Sequence, residues 1–462
     1  MKLKKIFLDL AFLLLVSAFS FAEYNSYGIP DSTEIRKSII NSWFTQNISE
    51  LRNKNSEIRK NQIGETFQIR MEEKVSSYAI IVAPQSYLNV DLISEQSKQT
   101  VQMAVYPEGA PGSFVLFRDK ASGKSQKIQW YFNPDADVYL EFYENFNKTY
   151  ADMIVCSSYL ARSVPVPVKF NQIFSSSFEN VLNWTKNSIN WKNIKVIPGQ
   201  YQETFQMIQI IRENIEKMDY AENACYNENG ELYSILTGKK FTLTDENGKE
   251  YYPEENGRLT LSGAGFVKWI IDGLVSEYTG KGTKIQEMLI PTVEYSATSK
   301  NGVLSQEYNL SFSLDWCRNL AAKVQSVRLS KDYDFKTGGL DVNQNFFAAE
   351  NQNGNLVSSA GYLKDTGYSI RKLKSLLYVL AIREPSYFYL AAIKTPSSVK
   401  HDEMVFNNCA AIFPYFDDAG HFDCAIFTMN SEISLSDFIS TNENSYIHLE
   451  RVKASNYFKP KS

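Results

Sequence analysis

Residues 262–280 carry the signals for both ends of a helix within one short stretch. Apolar side chains recur there at helical spacing, at Phe266, Val267, Ile270, Ile271, Leu274 and Val275. Ser262 stands at the N-cap position, and Gly280 stands where a glycine commonly ends a helix. The sequence therefore predicts one helix over 262–280, and we expect the second half of the chain to be organised around it.

The length and composition of the chain predict a folded protein with more than one domain. It has 462 residues, of which 44% are hydrophobic and 14% are aromatic, which is enough for two or three domains with sizeable cores. The formal net charge is -4 at pH 7, and no basic patch stands out. This balance argues against a nucleic-acid partner, because such binding depends on clustered lysine and arginine.

Residues 1–22 have the pattern of a secretion signal. Lys2, Lys4 and Lys5 precede an apolar stretch, and residues 20–22 place small side chains at a cleavage site. An uncleaved membrane anchor is the alternative, although the apolar run is shorter than the ~20 residues that span a bilayer. We therefore expect an exported protein, periplasmic or extracellular, with no transmembrane segment after signal cleavage.

The pattern after the signal predicts several successive regions. Residues 23–63 contain an N-terminal helix. Residues 64–168 contain short strand patterns at roughly ten-residue spacing, which is typical of a β-sandwich. Residues 169–222 form a helical connector, with one helix starting near Gln200. Residues 223–462 mix helices with strands, which predicts an α+β domain.

Within this last region, the sequence predicts two more helices and a long insertion. The helices cover about 315–329 and 368–383, each with apolar side chains on one face. Residues 330–367 are rich in Gly, Asn and Asp and are expected to form a surface insertion. Strand patterns then follow at YFYLAAI, CAAIFPYF, HFDCAIF and SYIHLERV.

The start of the 262–280 helix also carries a motif. Residues 263–269, GAGFVKW, resemble the nucleophile helix of the NlpC/P60 cell-wall peptidases, a branch of the papain-like fold. That family has Asp-Cys-Ser-Gly-Phe-Val, so Gly263 stands where the cysteine should be. The resemblance implies that the α+β region is a papain-like domain. Together with the strand pattern of residues 64–168, this predicts a multidomain protein with an N-terminal all-β sandwich followed by an α+β papain-like domain. The resemblance also implies that His421, which opens the HFDCAIF strand, matches the base histidine.

Because glycine has no side chain to ionise, the resemblance implies a relative that has lost its thiol chemistry. Ser262 is a poor substitute, since a shift of one residue re-aims a side chain by ~100° around a helix. Its hydroxyl is better suited to capping. The first hypothesis is therefore an exported, non-catalytic NlpC/P60-like protein that binds a cell-wall polymer or a peptide. The candidate binding residues are Ser262, Gly263 and Trp269.

Cys317 supports a second hypothesis. It lies in LDWCRNLA, in the first turn of the helix predicted from about Asp315, and a helix N-terminus favours the thiolate. The run is similar to the Cys-Arg-Asp-Phe-Ala pattern of transglutaminase-like proteins, whose histidine and aspartate would correspond to His421 and Asp437. This resemblance implies an active cysteine hydrolase or acyl transferase. A third hypothesis is a structural envelope protein whose domains are interaction modules without a cleft.

Neither the cysteines nor the histidines predict a metal site or a cofactor. The five cysteines lack CxxC spacing, and the acids beside His401 and His421 are expected to be solvated turn residues. The oligomeric state stays open.

Cys409 and Cys424 flank a predicted hairpin. A four-residue loop over 417–420 would set Cys424 opposite Phe413. Because that register keeps the two sulfurs apart, we expect no disulfide between them.

Overall fold

The computed structural model describes most of the chain and divides it into two compact units. The described residues are 27–94, 97–253, 257–293, 310–350, 356–358, 361–397, 403–428 and 431–461. The first unit holds the described residues up to Val155 together with Tyr159–Trp191, and the second holds Cys156–Ser158 and the residues from Lys192 onward. The predicted signal over 1–22 and His401 lie outside the described residues. None of the described helices is long and apolar enough to cross a membrane.

The first unit is built mainly from strands. Its described strands are Glu57–Lys60 (β1), Thr66–Glu73 (β2), Ser77–Pro84 (β3), Ser86–Ser94 (β4), Ser97–Val105 (β5), Phe114–Asp119 (β6), Ser125–Tyr131 (β7), Val138–Asn145 (β8), Lys148–Val155 (β9) and Ser158–Val166 (β10). Eight of them form one sheet in the order β1-β2-β3-β6-β7-β8-β9-β10, antiparallel from β1 to β9. Strands β4 and β5 form a separate antiparallel hairpin. The predicted β-rich first domain is therefore confirmed as a large antiparallel sheet.

Short helices accompany this sheet. They are Thr33–Ile39 (α1), Ile48–Leu51 (α2) and Phe178–Thr185 (α3), with a π-helical turn at Ile40–Phe44 and a 3-10 turn at Phe170–Ser175. The segment 169–222, which the sequence suggested as a single connector, is split between the two units after Trp191.

Alternation along the strands buries apolar side chains on both faces of the sheet. One face gathers Ala79, Ile81, Ala83, Val115, Phe117 and Tyr131. On the other face, the register places Phe114 opposite both Val82 and Trp130, and all three are buried. The two-residue period of the strands therefore serves a core on each side.

One buried arginine connects α1 with the second of these faces. The Arg36 guanidinium lies 4.5 Å from the ring centroids of both Phe114 and Trp130. It also donates to the backbone carbonyls of Phe174 at 2.8 Å and Ser176 at 2.7 Å. Burial lowers the pKa of Arg36 to about 10, so the guanidinium stays protonated at neutral pH.

Replacing Arg36 by methionine should destabilise the first unit by about 3 kcal/mol. Methionine keeps a long apolar chain but leaves the two carbonyls without their donor, at ~1–3 kcal/mol for each buried unsatisfied group. Urea denaturation of the full chain measures the change. The neighbouring Lys37 forms an exposed pair with Glu34, so Lys37→Met is the matched control and should change stability by less than ~0.5 kcal/mol. Equal effects of the two substitutions would contradict the role assigned to Arg36.

The second unit contains six short strands, a small hairpin and one larger sheet. Its described strands are Met218–Tyr220 (β11), Ala224–Tyr226 (β12), Leu232–Ser234 (β13), Leu243–Thr244 (β14), Glu250–Tyr251 (β15), Leu259–Leu261 (β16), Ala348–Glu350 (β17), Leu356–Ser358 (β18), Tyr368–Ser369 (β19), Tyr387–Pro396 (β20), Met404–Phe416 (β21), Phe422–Thr428 (β22), Ser431–Ile433 (β23) and Tyr446–Lys453 (β24). Its described helices are Gln202–Ile215 (α4), Gly263–Thr279 (α5), Ile285–Met288 (α6), Phe312–Leu329 (α7), Phe335–Gly338 (α8), Leu373–Arg383 (α9) and Leu435–Thr441 (α10). The mixture of helices and strands predicted for this region is confirmed.

The larger sheet lies between two helical layers. Its order is β19-β24-β20-β21-β22-β23, with every neighbouring pair antiparallel. The core beneath α5 and α7 takes alternate residues of β20 and β21, namely Phe388, Leu390, Ala392, Cys409, Ala411 and Phe413. Helix α9 covers the opposite face, where the rings of Tyr378 and Phe416 lie 5.0 Å apart.

Helix α5 confirms the prediction for residues 262–280. The Ser262 hydroxyl accepts from the Gly265 N–H at 3.1 Å and donates to the Ala224 carbonyl at 3.0 Å. Gly280 ends the helix in the left-handed conformation, at φ 69°. Position 265 requires glycine, because a Cβ there would lie 2.2 Å from the Ala224 oxygen. The helix can therefore pack directly on β12.

Two other helix predictions were wrong at their N-termini. Helix α7 begins at Phe312 and not near 315. The helix predicted from 368 begins at Leu373, because Tyr368 and Ser369 pair with β24 as a short strand.

The predictions for the insertion and the hairpin also need correction. Residues 330–367 are not only surface, since Leu340 and Val342 are buried. The β21–β22 loop covers 417–421, because Phe416 pairs with Phe422, and Cys424 therefore lies opposite Pro414. All five cysteines of the chain are within the described residues, and none of them is in a disulfide.

Candidate functional site

The first candidate region is the N-terminal end of α5. Gly263 is half-buried at the first helical position, while Ser262 is buried and uses its hydroxyl as the cap. Trp269 is also buried, and its Nε1 donates to the Lys461 carbonyl at 2.7 Å. The polar atoms of Ser262 and Trp269 are therefore engaged within the chain, and Gly263 is the partly exposed member of the three.

The last described residues of the chain lie along α5. The Lys459 N–H donates to the Gly273 carbonyl at 3.0 Å, and a Cβ at Gly273 would lie 2.7 Å from the Phe458 ring. A cavity of about 100 Å³ remains beside Trp269 and Lys461, with room for a few water molecules. This side of α5 is therefore closed by the C-terminal segment 458–461.

A thiol lies against the first turn of α5, but it comes from a neighbouring strand. Cys225 of β12 is buried, and its Cβ lies 3.2 Å from where a Gly265 side chain would begin. Burial raises the pKa of Cys225 to about 12, although the charge of Lys268 acts to lower it. This thiol is therefore protonated at neutral pH and is a poor nucleophile. No pattern in the sequence connects Cys225 with α5.

The second candidate, Cys317, is buried in the second turn of α7. Because α7 starts at Phe312, the thiol lies beyond the first turn, where the helix dipole acts most strongly. Burial raises the pKa of Cys317 well above its ordinary value, and the neighbouring Cys409 thiol adds to the rise. The environment thus favours the neutral thiol.

The structure does not bring the other predicted catalytic residues to Cys317. His421 is exposed in the β21–β22 loop, where its backbone N–H donates to Asp417 Oδ1 at 2.8 Å. Asp437 is exposed in the first turn of α10, where its Oδ2 accepts from the capping Ser434 hydroxyl at 2.6 Å. Both side chains therefore lie on the surface, His421 in a loop and Asp437 at the start of α10.

The register of β21 sets the distance between the predicted nucleophile and base. Cys317 and Cys409 share the core beneath α7, while His421 precedes Phe422, which pairs with Phe416 at the far end of the strand. Residues 409 and 416 are ~23 Å apart at ~3.3 Å per strand residue. The predicted Cys317–His421 pair is therefore not formed.

The second unit instead encloses a buried polar cluster. His448 and Glu450 lie two residues apart on β24 and therefore share one face of the sheet, beside Ala392 and Leu390 in the register. That face is covered by α7. The two atoms His448 Nδ1 and Glu450 Oε1 are 2.7 Å apart, and both side chains are fully buried.

Arg318 of α7 brings two aspartates from the 330–367 segment into this cluster. Its Nη2 lies 2.6 Å from Asp341 Oδ2, 2.9 Å from Asp365 Oδ1 and 3.4 Å from His448 Nε2. Burial acts to lower the pKa of Arg318, but the hydrogen bonds and charge of Asp341 dominate and raise it above the ordinary value. The Tyr362 hydroxyl lies 3.2 Å from His448 Nε2.

These contacts fix the proton on His448. Arginine carries donors only, so His448 Nε2 must accept, and a neutral imidazole then carries its proton on Nδ1 and donates to Glu450. Burial lowers the pKa of His448 to about 4, although the charge of Asp341 opposes the shift. Burial and Asp341 raise the pKa of Glu450. This favours a protonated Glu450 with its proton on Oε2, an atom without a hydrogen-bond partner among the described residues.

The cluster has ligand types that a metal ion could use. Asp341, His448 and Glu450 each place one ligand atom within 4.8 Å of the others. However, the Arg318 guanidinium already contacts both Asp341 and His448, and it supplies the positive charge that a cation would bring. The arrangement is therefore an internal network that holds α7 on β24.

The alternation of residues along β24 could have predicted two members of this cluster. His448 and Glu450 alternate correctly within the strand pattern SYIHLERV, so a shared face was predictable. Asp341 and Asp365 carry no such signal, because they come from a segment whose composition resembles that of loops.

Comparison with known proteins gives one family match, and it covers only part of the chain. The profile of a family described as a domain of unknown function (DUF8515) matches residues 25–193, which is less than half of the chain and ends close to the boundary after Trp191. No curated protein and no solved structure matches the chain.

Replacing Arg318 by methionine should destabilise the second unit by about 3 kcal/mol. The change removes the counter-charge of Asp341 and Asp365, and breaking a buried pair costs ~3–5 kcal/mol, less where the carboxylates reach solvent. Urea denaturation of the full chain measures it. The control is Arg328→Met on the same helix, which loses one surface hydrogen bond to a carbonyl and should cost less than ~1 kcal/mol. Similar values for both variants would contradict the assigned role.

Proposed function

We propose that the protein is an exported cell-envelope protein whose second unit is a non-catalytic relative of the NlpC/P60 peptidases, and that it binds a cell-wall polymer or a peptide. The proposal includes the periplasmic or extracellular location implied by residues 1–22 and a sandwich-like first unit. The observation that carries it is the start of α5, where a helix with the GFVKW motif begins at a glycine in place of the family's cysteine.

The surroundings of α5 support this proposal. Helix α5 and the sheet share one core, as a nucleophile helix and its sheet do in papain-like proteins. The thiol that lies against the first turn, Cys225, is buried and has a raised pKa. The thiol of the rival candidate, Cys317, is buried in the same core as Cys409 and far from His421. Each of these features favours binding over thiol catalysis.

Thiol reactivity tests the loss of catalysis. Cys156 is the partly exposed cysteine, so the test uses the Cys156→Ser chain under reducing conditions, treated with iodoacetamide near neutral pH. We expect the four remaining thiols to react only after denaturation, because burial favours the neutral thiol. Gly263→Cys in the same background should add a fast-reacting thiol, because the helix N-terminus stabilises a thiolate. Its rate should exceed that of the partly exposed Cys156 in the unsubstituted chain by roughly tenfold.

A second outcome of this experiment would contradict the loss of catalysis. A fast-reacting thiol in the Cys156→Ser chain that disappears on Cys317→Ala would overturn the non-catalytic proposal and support the cysteine hydrolase.

Binding to the cell wall is tested by co-sedimentation with purified peptidoglycan sacculi. We expect saturable binding that Gly263→Trp weakens by roughly tenfold or more, equivalent to about 1.4 kcal/mol, because the indole would cover the partly exposed start of α5. Gln209→Trp is the control, since Gln209 is exposed on α4 and should leave binding unchanged. Equal binding by both variants would show that α5 is not the binding region.

The closure of α5 by the C-terminal segment favours a second candidate function. Segment 458–461 occupies one side of the helix through Phe458, Lys459 and Lys461, as expected if the unit has no cleft and acts as a structural interaction module of the envelope. Absence of any saturable binding to sacculi would favour this candidate over the first.

A further inference from the structure

Another cavity of the second unit lies beside the C-terminal end of β24. It has a volume of about 220 Å³ and lies between the second half of α7, the turn after α8 and the last residues of β24. These segments supply its buried apolar walls, which are Ala321, Val324, Leu340 and Val452. It shares no lining residue with the cavity beside Trp269, so the two cavities are separate.

Small residues leave this space open. Helix α8 ends at Gly338, and Gly339 follows in the left-handed conformation, at φ 63°. A Cβ at Gly339 would meet no heavy atom within 4 Å outside its chain neighbours, and Ala321 adds only a methyl group to the wall formed by α7. For comparison, an engineered apolar cavity of ~150 Å³ holds one benzene molecule. Scaled by volume, this cavity has room for about eight or nine carbon atoms.

The lining of the cavity combines positive charges with no carboxylate. Among the described residues it includes Arg328, Arg451 and Lys453 but no aspartate or glutamate. Arg451 already has a partner, since its Nε lies 2.8 Å from both carboxylate oxygens of Glu384. By contrast, neither Arg328 nor Lys453 forms an ion pair with any described residue. Two cations are therefore available to an anion, in a chain whose net charge is -4.

Arg328 is held in place with one edge of its guanidinium unoccupied. Its Nη1 donates to the Lys453 carbonyl at 2.8 Å, which anchors this α7 side chain at the end of β24. Its Nε and Nη2 have no hydrogen-bond partner in the part of the chain that the structure describes. These two donors lie on the same edge of the planar group, where a carboxylate can accept two parallel hydrogen bonds. The cavity therefore joins apolar walls to a carboxylate-binding group.

We propose that this cavity binds a medium-chain alkyl carboxylate of about eight carbons. The alkyl chain lies against the apolar walls, and the carboxylate lies at Arg328 and Lys453. Each methylene removed from water raises the affinity by about fourfold, and the guanidinium edge selects a charged head group. The site is independent of the function proposed for α5, because the residues that carry it are different.

Isothermal titration calorimetry of the full chain with sodium octanoate tests the site. We expect one octanoate per chain, bound roughly tenfold more tightly than 1-octanol, because the alcohol keeps the chain length but lacks the charge. Hexanoate should bind roughly fifteenfold more weakly than octanoate, since it lacks two methylenes.

Matched variants separate the cavity from unspecific binding. Arg328→Gln should weaken octanoate binding by roughly tenfold and Lys453→Gln, at an exposed position, by roughly threefold. Both should leave 1-octanol binding unchanged, because only the carboxylate meets these cations. Lys331→Gln is the control, since Lys331 is exposed beside Tyr333 and does not line the cavity. Ala321→Leu should fill the cavity and weaken both ligands, and Ala321→Val replaces it if the larger side chain prevents folding.

Absence of saturable octanoate binding would overturn the proposal. Equal affinity for octanoate and 1-octanol would do so as well, because the cations would then have no role. Octanoate binding that neither Ala321→Leu nor Arg328→Gln changes would place the ligand elsewhere on the chain and would also overturn it.

Discussion

The second unit depends on the contacts of one buried arginine with three polar partners. Arg318 joins Asp341, Asp365 and His448, and these partners come from segments that are distant in the sequence. Removing the charges of a guanidinium and two carboxylates from water is costly, so the network is stable only while all its members are present. It therefore fixes how α7, the 330–367 segment and β24 pack together.

This network also occupies the polar side chains beneath α7 that thiol chemistry would need. Cysteine catalysis needs an imidazole with a free nitrogen that can accept the thiol proton. Of the described histidines, His448 lies nearest to Cys409 in the sheet register, opposite Ala392, which pairs with Cys409. Its Nε2 accepts from Arg318 and its Nδ1 contacts Glu450, so both nitrogens are occupied. The side chains of His448, Glu450 and Arg318 therefore stabilise the packing of the second unit.

Local features of the fold were predictable from the sequence, and contacts between distant segments were not. Helix α5 followed from its cap at Ser262 and its stop at Gly280, which are local signals. The strand patterns were also local. The β21–β22 loop, however, has one residue more than predicted, so Cys424 lies opposite Pro414 and not opposite Phe413. Composition alone cannot distinguish a five-residue loop from a four-residue loop.

The candidate site was harder to predict because its members are joined only by the folded chain. Gly263 was identified by its motif. By contrast, Cys225 lies against α5 from strand β12, and Asp341 contacts Arg318 from a segment whose composition resembles that of loops. The prediction that paired Cys317 with His421 relied on a resemblance to transglutaminase-like proteins. The register of β21 determined the distance between them.

The protonation of His448 tests the account of this network most directly. The chain has three histidines, so long-range proton–nitrogen NMR spectra of histidine labelled with nitrogen-15 contain few signals, and His448→Gln identifies the relevant one. At neutral pH the account predicts a neutral ring that carries its proton on Nδ1, with slow exchange of that proton with water. A proton on Nε2, or a doubly protonated ring, would contradict the contact between His448 and Arg318 on which the account rests.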